Sequence, residues 1–217
     1  MGTVAFLQGD NQLAMATYEK ALQINAKHFE ALLFSAVVHL RAGDAADKAE
    51  GFLRRAMAVD PGDSVPVHLL ANLLFSKVNV AEDVTHVMVE SIALYEQAMQ
   101  HWVARRANPL RKPKPKDQQL ICSPQDSSAL GAGEICCNHG LALRASRIRD
   151  ETVHAASLGG DGGAGELVPE PSLALPLRQG EIDAFERGLG AEPHHACCHV
   201  NLGVSLLEVF LRNRSVP

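Results

Sequence analysis

"AGDAADKAEGFLRRAMAVDPGD", residues 42–63, decides how the chain is read. It opens on Gly-Asp and closes on Asp-Pro. Between them, Ala49 and Ala56 stand seven apart, with the larger Leu53 midway. A stretch upstream, "QGDNQLAMATYEKALQINAKH" (residues 8–28), has the same design, with Ala14, Tyr18 and Ala21 in the corresponding places. Both close on Ala-(Leu/Met)-x-(Ile/Val)-(Asn/Asp). A third copy, "QGEIDAFERGLGAEPHH" (residues 179–195), carries Gly-Glu, Phe185, Leu189 and Pro193. Self-similarity of this kind marks a repeat architecture, in which each unit buries its apolar face only against its neighbours.

Each copy is followed by an apolar helical stretch: "FEALLFSAVVHLR" (29–41), "VPVHLLANLLF" (65–75) and "ACCHVNLGVSLLEVFLR" (196–212). The unit is therefore helix, Gly-Asp/Glu turn, helix, Asp-Pro turn. Glycine closes the first helix at low steric cost. Alanines seven apart lie on one helix face and let a neighbour approach, while Tyr18 and Leu53 fill the remaining space. Pro61 and Pro193 end a unit because proline cannot continue a helix.

These residues resemble the tetratricopeptide repeat. Pro61 and Pro193 fall at its proline position, and Ala26 replaces that proline in the first copy. Ala14/Tyr18/Ala21 and Ala49/Leu53/Ala56 match the small, large and small sites of its second helix. Leu202-Gly203 matches the Leu-Gly pair of its first helix, and Leu70-Ala71 does so more loosely. The likeness is strong over residues 7–75, good over 179–212 and poor between. It implies an all-α fold, an α-solenoid of antiparallel helix pairs, interrupted by a disordered or irregular middle segment. "CCNHGLALRASRIRDETVHAA" (136–156), with Asn-x-Gly, resembles a decayed first helix.

In the family, stacked first helices line a concave groove. The resemblance assigns to that groove Glu30, Leu33, Phe34, Val37 and Leu40, then Val65, His68, Leu69, Asn72 and Phe75. On the last helix it assigns Val200, Asn201 and Val204, with Cys197 and Leu207 beside them. Repeat domains that clamp a C-terminal carboxylate place Lys, Arg and Asn at these sites. Here the set holds Asn but neither Lys nor Arg. A buried carboxylate would lack its counter-charge, so an amphipathic helix or apolar peptide is the expected partner.

The bulk composition agrees with a helical protein-binding role. Hydrophobic residues make up 47% of the 217, but aromatics only 5%, so Ala, Leu and Val supply the apolar mass and favour helix-on-helix packing. A net charge of −5 gives no pull toward nucleic acid. The longest apolar runs are too short to span a bilayer. The first basic residue is Lys20, so no secretory leader is visible. Five cysteines, an odd number with two adjacent pairs, do not resemble a secreted disulfide framework. The expected setting is the cytoplasm, or the nucleus.

Period and composition divide the chain into helical repeats over 1–103, a flexible basic linker over 104–133, a degenerate repeat over 134–158, a Gly/Pro-rich loop over 159–176 and a partial repeat over 177–217. The linker "ARRANPLRKPKPK" (104–116) holds six basic residues and three prolines and cannot continue a helix past Asn108. "GGDGGAG" (159–165) spells a dinucleotide-type glycine motif. No strand precedes it and prolines follow it, so it reads as a loop. No catalytic constellation is present and no cofactor is implied.

"HHACCH" (194–199) looks like a metal cage when isolated. The repeat register puts His194 and His195 in the turn between units and the remaining four residues on the first turn of the next helix, with Cys198 packing and His199 buried. Ligation by His195, His199 and Cys198 stays open, with Cys136, Cys137 and His139 joining only if the intervening chain folds back. No metal ligand is assigned. The expected function is a non-catalytic scaffold for protein partners, with self-association through uncapped repeat ends. The alternatives are a substrate-recruiting array of a larger enzyme, such as an O-linked sugar transferase, and a metal-binding module.

Overall fold

The helices start and stop where the sequence supplies caps. A computed structural model describes residues 1–43, 45–78, 84–107, 132–158 and 171–214, and all its regular elements are α-helices. In chain order they are α1 (Gly2–Leu7), α2 (Asn11–Ile24), α3 (Phe29–Ala42), α4 (Ala46–Val59), α5 (Ser64–Lys77), α6 (Val84–Ala107), α7 (Ala132–Leu158), α8 (Pro171–Ala191) and α9 (Ala196–Arg214). None of these helices is long and apolar enough to cross a membrane. The all-helical fold class matches the sequence expectation.

Two compact units divide the chain, residues 1–130 and 131–217. In the first, α1 to α6 pack in sequential order, each helix against the next. Gly9 and Gly43 close α1 and α3 with φ of 81° and 71°, the left-handed region that the Gly-Asp turns demand. The Asp10 side chain accepts from Leu13 N at 2.9 Å to cap α2, and Asp63 accepts from Val65 N at 2.9 Å to cap α5.

The small-large-small pattern does what its spacing implies. Ala14, Ala49, Leu53 and Ala56 are fully buried, and Tyr18 nearly so. Tyr18 stacks on Phe34 with ring centroids 5.6 Å apart, and Phe6 meets the same ring edge-on at 5.9 Å. Those three rings join α1, α2 and α3.

In the second unit, α7 and α8 run antiparallel. Gly133 lies near His195, Gly140 near Phe185, and Arg147 near Glu181. α9 then runs alongside α7. A Cβ on Gly140 would collide with the Phe185 ring, so glycine there is what lets the ring nest. Pro171 opens α8, where a missing N–H is harmless. The helix continues through Pro176, although loop was expected there; an early proline disturbs only the first turns. Of the expected linker, residues 104–107 complete α6 and 132–133 open α7. The remainder, 108–131, lies outside the described residues, as does the glycine motif at 159–165.

Candidate functional site

The three turns between repeats share one hydrogen-bond pattern. Asn25 N donates to Ala21 O, Asp60 N to Ala56 O and Glu192 N to Gly188 O, at 2.8–3.0 Å. His28 N then donates to Asn25 O, Asp63 N to Asp60 O and His195 N to Glu192 O, at 3.0–3.2 Å. His28, Asp63 and His195 therefore occupy one structural position, that of the cap on the next helix. Each side chain accepts a backbone N–H: His28 from Ala31, Asp63 from Val65 and His195 from Cys198. "HHACCH" is thus a repeat junction. His199, expected to be buried, is exposed, and its ring Nε2 lies 2.7 Å from Pro193 O.

On α3 and α5, the residues assigned to the groove fall into two groups. Leu33, Phe34, Val37, Val65 and His68 are buried. Phe34 belongs to the ring cluster with Phe6 and Tyr18, and His68 lies 5.9 Å from the Tyr95 ring. Glu30 is exposed, and Leu40, Leu69, Asn72 and Phe75 are half-buried. The Asn72 side chain accepts from the Tyr95 hydroxyl of α6 at 2.7 Å. In the second unit, Val200 and Val204 are exposed on α9. Asn201 is tied down: its Oδ1 accepts from Arg144 at 2.9 Å, and its Nδ2 donates to Cys197 O at 3.0 Å.

Four cysteines converge in the second unit, although α7 and α9 lie far apart in sequence. Cys137 and Cys197, 60 residues apart, form a disulfide with Cα atoms 6.4 Å apart. Cys197, assigned to the groove by the resemblance, is bonded to Cys137 of α7, a pairing that the cysteine spacing did not suggest. Cys136 and Cys198 are buried thiols. Cys198 packs with Cys137 and Phe185 in one apolar cluster, as expected for a small hydrophobe. Burial pushes the Cys136 thiol up to about 11 and the Cys198 thiol up to about 12, with Glu134 and Glu192 adding to the rise at Cys198. His139, beside them on α7, is pushed down to about 4 by burial and by the neighbouring Arg187 charge.

Ligand atoms of Cys137, His195 and Cys198 all lie within 4.8 Å of one another. Among the described residues, this is the group of three or more His, Cys, Asp or Glu side chains close enough to hold a metal ion. The sequence left His195 and Cys198 open as ligands, and Cys137 joins them because α7 folds back beside α9.

Beyond the sulfur cluster lies a buried ionic lattice. Arg147 Nε donates to Glu181 Oε1 at 3.0 Å, Arg147 Nη2 to Glu208 at 2.9 Å, and Ser205 Oγ to Glu181 Oε2 at 3.3 Å. Arg144 donates to Ser205 Oγ at 2.7 Å, and its guanidinium lies 5.4 Å over the Phe185 ring. Burial opposes the Arg147 charge, but Glu181 and Glu151 more than offset it and hold the guanidinium above its ordinary value. The repeat pattern put Glu181 in a Gly-Glu turn, but α8 runs unbroken through Gly180 and Glu181, so the carboxylate is buried on a helix instead.

Comparison with known proteins agrees with this geometry. The tetratricopeptide repeat family model matches residues 5–73. No curated protein matches the sequence. Among solved structures, the chain is similar to MamA, at 12% identity and a TM-score of 0.61, with 100% of this chain and 88% of that one covered. It is also similar to TTC0263, a thermophilic TPR protein of Thermus thermophilus, at 17% identity and a TM-score of 0.45, with 95% of each chain covered. At 12% identity the likeness to MamA is one of fold alone. The turns and the alanine faces of α2 to α5 agree with the family match, and residues 5–73 are a segment of tetratricopeptide repeats.

Proposed function

We propose that this protein is a non-catalytic scaffold of the cytoplasm or nucleus, whose N-terminal unit binds an apolar peptide or amphipathic helix along α3 and α5. The observation that carries the reading is the repeat fold over residues 5–73, because such arrays present their first helices to partners. Leu40, Leu69 and Phe75 stay half-buried after the unit has packed, so apolar area remains for a partner to cover. Leu33, Phe34, Val37, Val65 and His68 are better read as the support beneath that surface. The groove residues of these helices include no Lys or Arg, which favours an apolar ligand over a carboxylate tail.

Proximity labelling with the intact chain, compared with a Leu69→Ser/Phe75→Ser variant, tests the reading. Loss of a defined set of labelled proteins is expected; an unchanged set overturns it.

A second surface is proposed for self-association. Val200, Val204 and Leu207 recur at helical spacing on α9 and are 66%, 41% and 55% exposed, with Leu206 beside them at 47%. A sedimentation profile independent of concentration would remove this proposal.

A further inference from the structure

We propose that reduction of the Cys137–Cys197 bond converts the second unit into a binding site for a zinc-like divalent ion, with Cys137, Cys197, Cys198 and His195 as its ligands. The inference is independent of the groove on α3 and α5.

The donor set is the first argument. Thiolate sulfur and imidazole nitrogen are the ligands that zinc and its analogues select. Donors on one tetrahedral zinc sit at about 2.3 Å for sulfur and about 2.0 Å for nitrogen, hence roughly 3.5–3.8 Å from one another. The ligand atoms of Cys137, His195 and Cys198 already lie within 4.8 Å of each other. Small side-chain rotations, moving each donor by about an ångström, close the difference. Cys197 lies outside that group of three, but its sulfur is bonded to Cys137, and reduction frees it to turn toward the same ion.

The surroundings are the second argument. His195 Nε2 faces Glu134 Oε2 at 3.4 Å. A carboxylate on one ring nitrogen orients a metal-binding imidazole and leaves the other nitrogen free to ligate. That other nitrogen, Nδ1, now accepts only a long 3.3 Å bond from Cys198 N. Asn201 Nδ2 lies 3.3 Å from Cys197 Sγ and 3.7 Å from Cys137 Sγ, placed to donate to both sulfurs once they become thiolates. Room comes from Gly133 and Gly188: a Cβ at the first would strike the His195 ring, and at the second Cys198 Sγ.

The chemistry balances. Two equivalents of a small thiol donate two electrons and two protons to the disulfide, giving the Cys137 and Cys197 thiols and one small-molecule disulfide. The ion then displaces the protons of Cys137, Cys197 and Cys198 and binds neutral His195, releasing three protons to solvent. In reverse, a disulfide oxidant takes two electrons from Cys137 and Cys197, their bond re-forms, and the ion leaves.

Titration of the intact chain with cobalt(II), then zinc(II) against a chromophoric chelator, tests the assignment. The reduced chain should bind one ion and show thiolate-to-cobalt charge-transfer absorption, while the oxidised chain should not. Cys198→Ser and His195→Gln should each weaken binding by more than about tenfold, the loss typical of even an outer-shell partner. Equal binding by the oxidised chain, or binding indifferent to Cys198→Ser and His195→Gln, overturns the proposal. Zinc-edge X-ray absorption of the reduced wild type needs no variant and guards against misfolding. At least two sulfurs and one imidazole are expected, and fewer than two sulfurs overturns the assignment.

Discussion

The Tyr95 hydroxyl donates to the Asn72 side chain at 2.7 Å, so the asparagine that the repeat register assigns to the groove is already held by α6. Tyr95 is almost completely buried, while Asn72 keeps partial access to solvent. Tyr95→Phe should therefore cost about 0.5–1.5 kcal/mol in urea denaturation. It also removes the Tyr95 bond to Asn72 Oδ1. If that amide anchors a partner backbone, the variant should label the same partners more strongly, and a drop in labelling without loss of fold would exclude the anchoring role.

Glu181 is fully buried between Arg147 and Ser205. Glu181→Leu removes the most buried carboxylate on Arg147, leaving Glu151 and Glu208, and should destabilise the second unit by about 1–3 kcal/mol. The double change Glu181→Leu/Arg147→Met removes both charges and should recover a large part of that loss. Chemical denaturation of the single and double variants decides the point, and additive losses would mean that the pair does not act as a unit.

His139 is buried, and its imidazole is depressed from the ordinary 6.5 to about 4 by burial and by Arg187. The unfolded chain therefore binds the proton more readily than the folded one. The stability tied to neutral His139 is complete above pH 6.5 and is lost as pH falls toward 4. About 2 kcal/mol should disappear between pH 7.5 and pH 5. His139→Gln should flatten that slope, as followed by urea midpoints across the range.

Gly140 makes room for the Phe185 ring. Gly140→Ala should cost about 1–3 kcal/mol through overpacking, and a smaller side chain at position 185, as in Phe185→Leu, should relieve part of it. A thermal melt in which the double variant is no better than the sum of the singles would show that the contact is not the cause.

Gly43 sits at φ 71° as the cap of α3, with nothing within 4 Å of where a Cβ would stand. Gly43→Ala should therefore cost about 1 kcal/mol from backbone strain alone. Gly51, mid-helix and equally open, gives the contrast: Gly51→Ala should stabilise by up to about 1 kcal/mol. Opposite signs in paired denaturation curves are the expected result.

The sequence by itself determined what depends on neighbours a few residues apart. Gly9 and Gly43, the caps Asp10 and Asp63, and alanines seven apart on α2 and α4 act within one helix or one turn, so spacing was enough to reveal α2 to α5 and their likeness to tetratricopeptide repeats. The repeat register also placed His195 in a junction, where it caps α9 as His28 caps α3. Only the tertiary structure decided what depends on distant segments meeting. Which groove residues remain open was set by Phe6, Tyr18 and Tyr95, contributed by other helices. The partners of Glu181 were hidden because a buried charge and a solvated one look alike along a helix. Cys137 met Cys197 and Cys198 because α7 runs beside α9, across a stretch of chain in which the period is lost. A repeat pattern encodes the next helix in line; it does not encode which side chains converge once the helices have stacked.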